Sequence, residues 1–203
     1  MLEVREDNAA AFEELMLRYQ NRVVNLLEHL VGDRHLAEDL AQDVFLRVYR
    51  ARKTYTPEAK FTTWLYTIVN NVASNALRSR YRRKEIDLQP DPGASGTSPI
   101  ERVMQPGSGH MPARRLDRAE MTEMIRLALL SLSERQRMAV LLCKFEEMSY
   151  ADIGQTMGMS GKAIKSLLAR ARVNLREVLE PYLDRGDRPG EAAHEPNDSA
   201  VNG

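Results

Sequence analysis

Apolar residues along this chain recur at three- and four-residue steps, and no stretch alternates in the two-residue rhythm of a half-buried strand. Phe12, Leu15, Met16, Tyr19, Val23, Leu26, Leu27 and Leu30 predict a first long helix that stops near Gly32. A second, from about Leu36 to Arg52, would bury Leu36, Leu40, Val44, Phe45 and Val48 before Tyr55-Thr-Pro57 breaks it. A third, from about Thr62 to Arg83, carries Trp64, Leu65, Ile68, Val69, Val72, Ala76 and Leu77. Three such helices suffice to close a small core.

Between Gln89 and Pro112 the periodicity lapses, and proline, glycine and serine take its place, the composition of a flexible linker. Helices resume near Leu116 with Met121, Met124, Ile125, Leu129 and Leu132. Ser133 and Gln136 form a capping-box pattern that predicts the next helix, through about Phe145. Ser149 predicts a cap for a short helix over Tyr150–Met157, Gly158 its end, and Ser160 the cap of a last helix. In that last helix Ile164, Leu167, Leu168, Ala171, Leu175 and Val178 make one apolar stripe. The chain from Gly186 onward is rich in Pro, Gly, Glu and Asp and is expected to be disordered. The expected fold is all-α, with two small helical domains, 8–84 and 116–183. A flexible linker (85–115) joins them and a disordered tail (184–203) follows.

Charge sharpens this picture. Lys plus Arg and Asp plus Glu both number 29, so the formal net charge is zero, but the signs are segregated. Residues 51–84 hold 8 basic side chains against 1 acidic, and residues 159–176 hold 5 against none. The first fifty residues are acidic, 6 basic against 10. Two basic blocks in acidic surroundings suggest nucleic acid met at two places and another partner met through acidic surface.

The second block coincides with the last helix. Lys162, Lys165, Arg172 and Arg176 lie opposite its apolar stripe, with Ser166 and Arg170 beside them, the footprint of a DNA recognition helix in a helix-turn-helix. The first block ends the third helix. There Asn71, Asn75, Arg78 and Arg82 share a face, and Tyr55, Thr56, Lys60, Phe61 and Thr62 precede it as a base-capturing loop would require. Asparagine amides can bond base edges and arginines neutralise phosphate. A solvated, basic helix end explains the first block about as well when it is read alone. Glu38, Asp39 and Asp43 on the second helix read, by spacing alone, as ordinary solvent-facing charge.

Three motifs, in order, resemble the extracytoplasmic-function (ECF) type of the sigma-70 family of RNA polymerase sigma factors. The run from Ala37 to Tyr49 (AEDLAQDVFLRVY) is similar to the core-polymerase-binding helix. Phe61 to Asn71 (FTTWLYTIVNN) is similar to the segment that melts and reads the minus-10 element. Leu132 to Arg172 is similar to the minus-35-binding domain. The resemblance implies that Asp39, Gln42, Asp43, Leu46 and Arg47 bind the beta-prime clamp helices of core polymerase, with beta as a further core partner of the chain, which changes the solvent-facing reading of that helix. It implies a minus-10 surface of Tyr55, Lys60, Phe61, Trp64, Asn71, Asn75, Arg78 and Arg82. It implies a minus-35 surface of Lys162, Lys165, Ser166, Ala169, Arg170 and Arg172. It further implies a cytoplasmic monomer, an anti-sigma factor as inhibitor, and no cofactor. The family often has Glu-Ile-Ala where this chain has Asp152-Ile153-Gly154, Gly-Thr-Val where it has Lys162-Ala163-Ile164, and arginine at Leu167.

Other classes fare worse. A conventional dimeric helix-turn-helix regulator explains the last helix but not the Trp64-centred motif or the first basic block. An enzyme is not expected: His29, His35, His110 and His194 are scattered, Cys143 has no histidine near it in sequence, and no phosphate-cradling glycine loop or metal-ligand spacing occurs. One cysteine excludes a disulfide framework. No apolar run approaches the ~18 residues that would insert in a membrane, and the acidic N-terminus lacks a signal core.

Overall fold

The computed structural model describes residues 1–87 and 118–183, and among these every regular element is helical. In chain order they are α1 (Leu2–Arg5), α2 (Ala9–Val31), α3 (Arg34–Arg50), a 3-10 turn (Arg52–Thr54), α4 (Phe61–Asp87), α5 (Arg118–Ser131), α6 (Glu134–Lys144), α7 (Tyr150–Met157) and α8 (Gly161–Leu183).

Local chemistry explains most boundaries. Asn8 caps α2 by accepting from the Ala11 amide at 3.1 Å, and Gly32 ends that helix at φ 73°, a left-handed conformation that glycine adopts without steric cost. Asp33 then caps α3 through the Leu36 amide at 3.1 Å. In the second half the expected Ser133/Gln136 capping box forms in both directions, and Ser149 caps α7. Gly158 closes α7 at φ 63°, and the Ser160 hydroxyl accepts from Ala163 at the start of α8.

Three boundaries depart from expectation. Helical structure already precedes residue 8: α1 buries Val4, and Asp7 is tied to Arg52 (2.8 Å) and Lys53 (2.5 Å). Two cations hold the Asp7 carboxyl below its usual value, Lys53 first and Arg52 second. The third helix runs on to Asp87, so residues 85–87, assigned to the linker, are helical. The second helix starts two residues before Leu36 because Asp33 supplies its cap. The remainder of the linker and the whole tail lie outside the described residues.

Helices α2, α3 and α4 pack around Val23, Leu26, Leu27, Leu30, Ala37, Ala41, Val44, Val48, Leu65 and Val69, all nearly inaccessible to water. Each fully buried leucine here contributes about 1.5–3 kcal/mol. Helices α6, α7 and α8 pack around Leu141, Leu142, Ile153, Ile164, Leu168 and Ala171. The two cores are continuous, because α4 lies against α7 while α2 touches α5 and α6. That second contact rotates the buried stripe of α4. Thr63, Tyr66 and Ala73 are buried along with the expected Leu65, Val69, Val72 and Leu77, whereas Trp64, Ile68 and Ala76 are only half-buried.

Candidate polymerase and nucleic-acid faces

Helix α3 turns Ala37, Ala41, Val44, Phe45 and Val48 inward, and this fixes what points outward. Asp39, Gln42, Leu46 and Arg47 are exposed along one stripe, and Asp43 is half-buried on it. The Arg47 guanidinium donates to both Asp43 carboxylate oxygens, through Nε at 3.1 and 3.0 Å. Such an exposed pair stabilises a helix by only about 0.3–0.5 kcal/mol, so stability does not account for it. Leu46 is 46% exposed and Tyr49 41%. Tyr49 packs on Phe12 at 5.1 Å and lies under the Arg52 guanidinium at 3.9 Å. A fixed aromatic and a leucine ringed by charge form a surface suited to docking on protein. Sequence reasoning omitted Tyr49, although it stands three residues after Leu46 on the same face.

The loop before α4 and the first turns of that helix enclose an aromatic cluster. Tyr55 meets Trp64 at 5.0 Å and Phe61 at 6.3 Å, Phe61 meets Trp64 at 5.9 Å, and Tyr19 meets Phe61 at 5.3 Å. Tyr55 is only 5% exposed, so in this conformation it backs the cluster rather than offering itself to DNA. Phe61 and Trp64 are half-buried, and Lys60 is exposed. Beside them a cavity of about 240 Å³ is lined by Thr56, Glu58, Ala59, Thr63, Trp64, Thr67 and Gln155. The buried Thr63 hydroxyl on its wall has no hydrogen-bond partner among the described residues. Farther along α4, Asn71, Asn75, Arg78 and Arg82 are all exposed at steps of four, three and four residues, which places them on one face.

In α8 the inward stripe is Ile164, Leu167, Leu168 and Ala171, and Lys162, Lys165, Ser166, Ala169, Arg170 and Arg172 are exposed. Leu167, where the family resemblance leads one to expect arginine, is therefore a core residue here and unavailable to DNA. Arg172 Nη2 donates to the Tyr150 hydroxyl at 3.1 Å, which steadies one end of the ridge against α7. The turn between α7 and α8 is tight. Met159 N donates to Gly154 O at 2.8 Å, and a Cβ on Gly154 would stand 2.6 Å from the Met159 carbonyl oxygen. That close approach explains glycine in place of alanine.

A polar seam joins the two halves. Lys60 Nζ stands 3.0 Å from Asp152 Oδ2, and the Ser149 hydroxyl followed by Lys60 holds the Asp152 carboxyl below its usual value. Thr156 donates to the Thr63 carbonyl at 3.4 Å, and Ser74 donates to Glu134 at 2.5 Å. Glu146, with its side chain 5% exposed, accepts from the Tyr66 hydroxyl and from Arg22 at 2.5 Å. Burial first, and the neighbouring carboxylate second, push the Tyr66 phenol far above its usual value. Arg137 donates to the carbonyls of Leu129 (2.8 Å), Leu130 (2.8 Å) and Leu132 (3.0 Å), and across the seam to Leu30 (2.5 Å). Burial lowers the pKa of that guanidinium. Of the seam residues only Lys60, as part of the loop before the third helix, and Asp152, as a departure from the family pattern, stood out in the sequence. A charged residue that bonds a distant carbonyl or a buried phenol has no local signature.

Among the described residues no group of three His, Cys, Asp or Glu side chains could hold a metal ion, and no helix is long and apolar enough to cross a membrane.

Two family profiles match, Sigma-70 region 2 over residues 15–83 and Sigma-70 region 4 over residues 122–175. The RNA polymerase sigma-H factor of Pseudomonas aeruginosa is 30% identical over 89% of this chain and 92% of its own length. The ECF RNA polymerase sigma factor SigW of Bacillus subtilis is 28% identical over 87% and 93%. Among solved structures, CnrH in complex with the cytosolic domain of CnrY superposes with a TM-score of 0.63 at 21% identity, covering 88% of this chain and 94% of that one. The sigma factor RpoE of Bartonella quintana, in complex with the anti-sigma factor NepR, gives 0.60 at 24%, covering 84% and 97%. Helices and relatives agree on a transcription initiation factor built from two helical halves. The chain belongs to the sigma-70 family of RNA polymerase sigma factors, in its ECF type.

Proposed function

We propose that the three exposed faces divide the work of promoter-specific initiation. The α3 stripe of Asp39, Gln42, Asp43, Leu46 and Arg47, extended by Tyr49, docks on core RNA polymerase at its beta-prime clamp helices. The α4 surface takes the minus-10 element. Asn71 and Asn75 bond base edges, Arg78 and Arg82 hold phosphate, and the cavity beside Trp64 receives a base turned out of the stack. Unstacking costs a few kcal/mol, and a pocket with an aromatic wall and hydroxyls offsets that cost. Helix α8 enters the minus-35 major groove with Lys165, Ser166, Ala169 and Arg170 toward the bases, while Lys162 and Arg172 grip the backbone. The protein works as a cytoplasmic monomer, and an anti-sigma factor holds it inactive.

The observation that carries this reading is the separation of charge: one acidic-apolar stripe and two basic ridges, on three different helices. A dimeric repressor or activator needs only the last of them. The test is a pull-down of the purified chain with bacterial core RNA polymerase, followed by transcription from genomic fragments. Stable binding with discrete start sites is the expected result. No core binding, but tight, salt-sensitive binding of duplex DNA as a dimer, would overturn it. For the inhibitor, the sigma factor RpoE of Bartonella quintana was captured with an anti-sigma factor, and co-purification from cells is the corresponding check.

A further inference from the structure

One carboxylate ties the segment before α2 to the turn that follows α3. Asp7 Oδ1 accepts from Arg52 Nε at 2.8 Å and Oδ2 from Lys53 Nζ at 2.5 Å, across 45 and 46 residues of chain. Asp7 stands at φ 64°, a left-handed conformation that few side chains other than asparagine and aspartate adopt readily. The backbone closes the turn around it: Asp7 N donates to Val4 O and Asn8 N to Glu3 O, both at 3.1 Å. Val4, 1% exposed, anchors this turn in the core. The cap of α2 falls to Asn8, so the Asp7 side chain has no capping role and is turned onto the two cations.

Arg52 passes that restraint to the α3 stripe. Its Nη1 donates to the Tyr49 carbonyl at 2.9 Å, and its guanidinium lies 3.9 Å from the centre of the Tyr49 ring. With Nε on Asp7, the planar fork is fixed from three directions, and the side chain is only 20% exposed. Tyr49 also meets Phe12 at 5.1 Å, yet 41% of it stays exposed. Ion pairs made by so exposed a carboxylate contribute little to stability. Their consequence is orientation.

We propose that Asp7 is a positioning residue for core binding: through Arg52 it holds the Tyr49 ring in the orientation that polymerase meets. The inference rests on the reading of the α3 stripe, with Tyr49, as the polymerase-docking face. A guanidinium released from Asp7 samples many rotamers, and docking must then immobilise both it and the ring beneath. Held in advance, the two are ordered before polymerase arrives, and binding no longer bears that cost. The charge is essential to this. Asparagine tolerates the same left-handed backbone and fills the same space, but it offers one neutral acceptor where two charged oxygens stood.

Fluorescence titration of the full chain with core polymerase tests the proposal. Asp7→Asn should weaken core binding about fivefold, the size expected when one side chain must be immobilised on docking. Arg52→Gln, which leaves Asp7 and its turn unaltered, should do the same. In a Tyr49→Ala background neither change should have any further effect, because the ring they position is gone. The melting transition of both variants, followed by circular dichroism, should stay within about 2 °C of the parent chain. Unchanged core affinity in Asp7→Asn and Arg52→Gln, with binding weakened in Tyr49→Ala, overturns the proposal. A loss that persists undiminished in the Tyr49→Ala background, or that accompanies a lowered melting temperature, overturns it too, since either means a merely structural role. If Tyr49→Ala and Asp43→Ala both leave core affinity unchanged, the proposal falls together with the docking-face reading, and the fault lies in that reading.

Discussion

Tyr66 on α4 donates its hydroxyl hydrogen to Glu146 in the loop after α6, so a buried phenol of the first helical half is satisfied by the second. The phenol is held protonated far above its ordinary range, by burial first and the carboxylate second. Below about pH 10 the unfolded chain keeps this proton too, and the contribution is fully present. As pH rises further the unfolded chain releases the proton while the folded chain retains it, so stability falls. Of the seven tyrosines, at least one should stay un-ionised until the protein unfolds, seen as late phenolate absorbance. Tyr66→Phe should abolish that late component. Ionisation of all seven in one reversible step, with helicity intact, would contradict the assignment.

Arg137 closes three carbonyls at the end of α5 and one at the end of α2. A lysine there offers three donors from one point and cannot span that set. Arg137→Lys should therefore cost about 2–3 kcal/mol, the size of charged hydrogen bonds lost with acceptors left buried. The melting temperature should drop by roughly 5–10 °C for a chain of this length. Calorimetry decides it, and an unchanged transition would mean that water replaces the guanidinium without loss.

Core binding and promoter opening should separate by mutation. Asp43 belongs to the α3 stripe and Asn71 to α4, on different helices with no contact between them in the hydrogen-bond network described above. Asp43→Ala should weaken core binding about tenfold, as loss of an interface contact worth over 1 kcal/mol does, while promoter DNA contacts in the assembled complex stay intact. Asn71→Ala should leave core affinity unchanged and slow promoter opening about tenfold, within the range for one lost base contact. Fluorescence titration with core and permanganate footprinting read the two steps. Equal effects of both variants on core binding would show that the residue roles are misassigned.

The sequence displayed the helices and two of the three faces because both are periodic. Spacing alone placed Ser133, Gln136, Ser149, Gly158 and Ser160 at helix ends, where the structure has them. The α3 stripe was different. Glu38, Asp39 and Asp43 look like any solvated acids, and only the motif around them suggested a docking face. The seam was illegible for another reason. Tyr66 sits beside Leu65 and reads as half of an ordinary apolar pair, and Glu146 is one of two glutamates in a loop. Their meeting depends on α4 facing two cores at once, which also explains why Trp64 and Ile68, expected at the centre, lie at the edge.

Salt dependence should distinguish the two kinds of residue on α8. Lys162 and Arg170 are both exposed, and both carry one positive charge. Lys162 stands in the first turn of the helix, where a flexible ammonium reaches phosphate. Arg170, two turns later beside Ala169 and Ser166, presents a planar fork suited to a guanine edge. Removing a phosphate contact should weaken binding to all duplexes alike and reduce the slope of log affinity against log salt by about 1. Removing a base contact should cost about 1–3 kcal/mol on the cognate element and little on others. Holoenzyme binding to a promoter recovered from the transcription assay, across a salt series, therefore expects Lys162→Ala to flatten the slope and Arg170→Ala to erode specificity. The opposite pattern would reverse the two roles and would mean that α8 enters the groove from its other end.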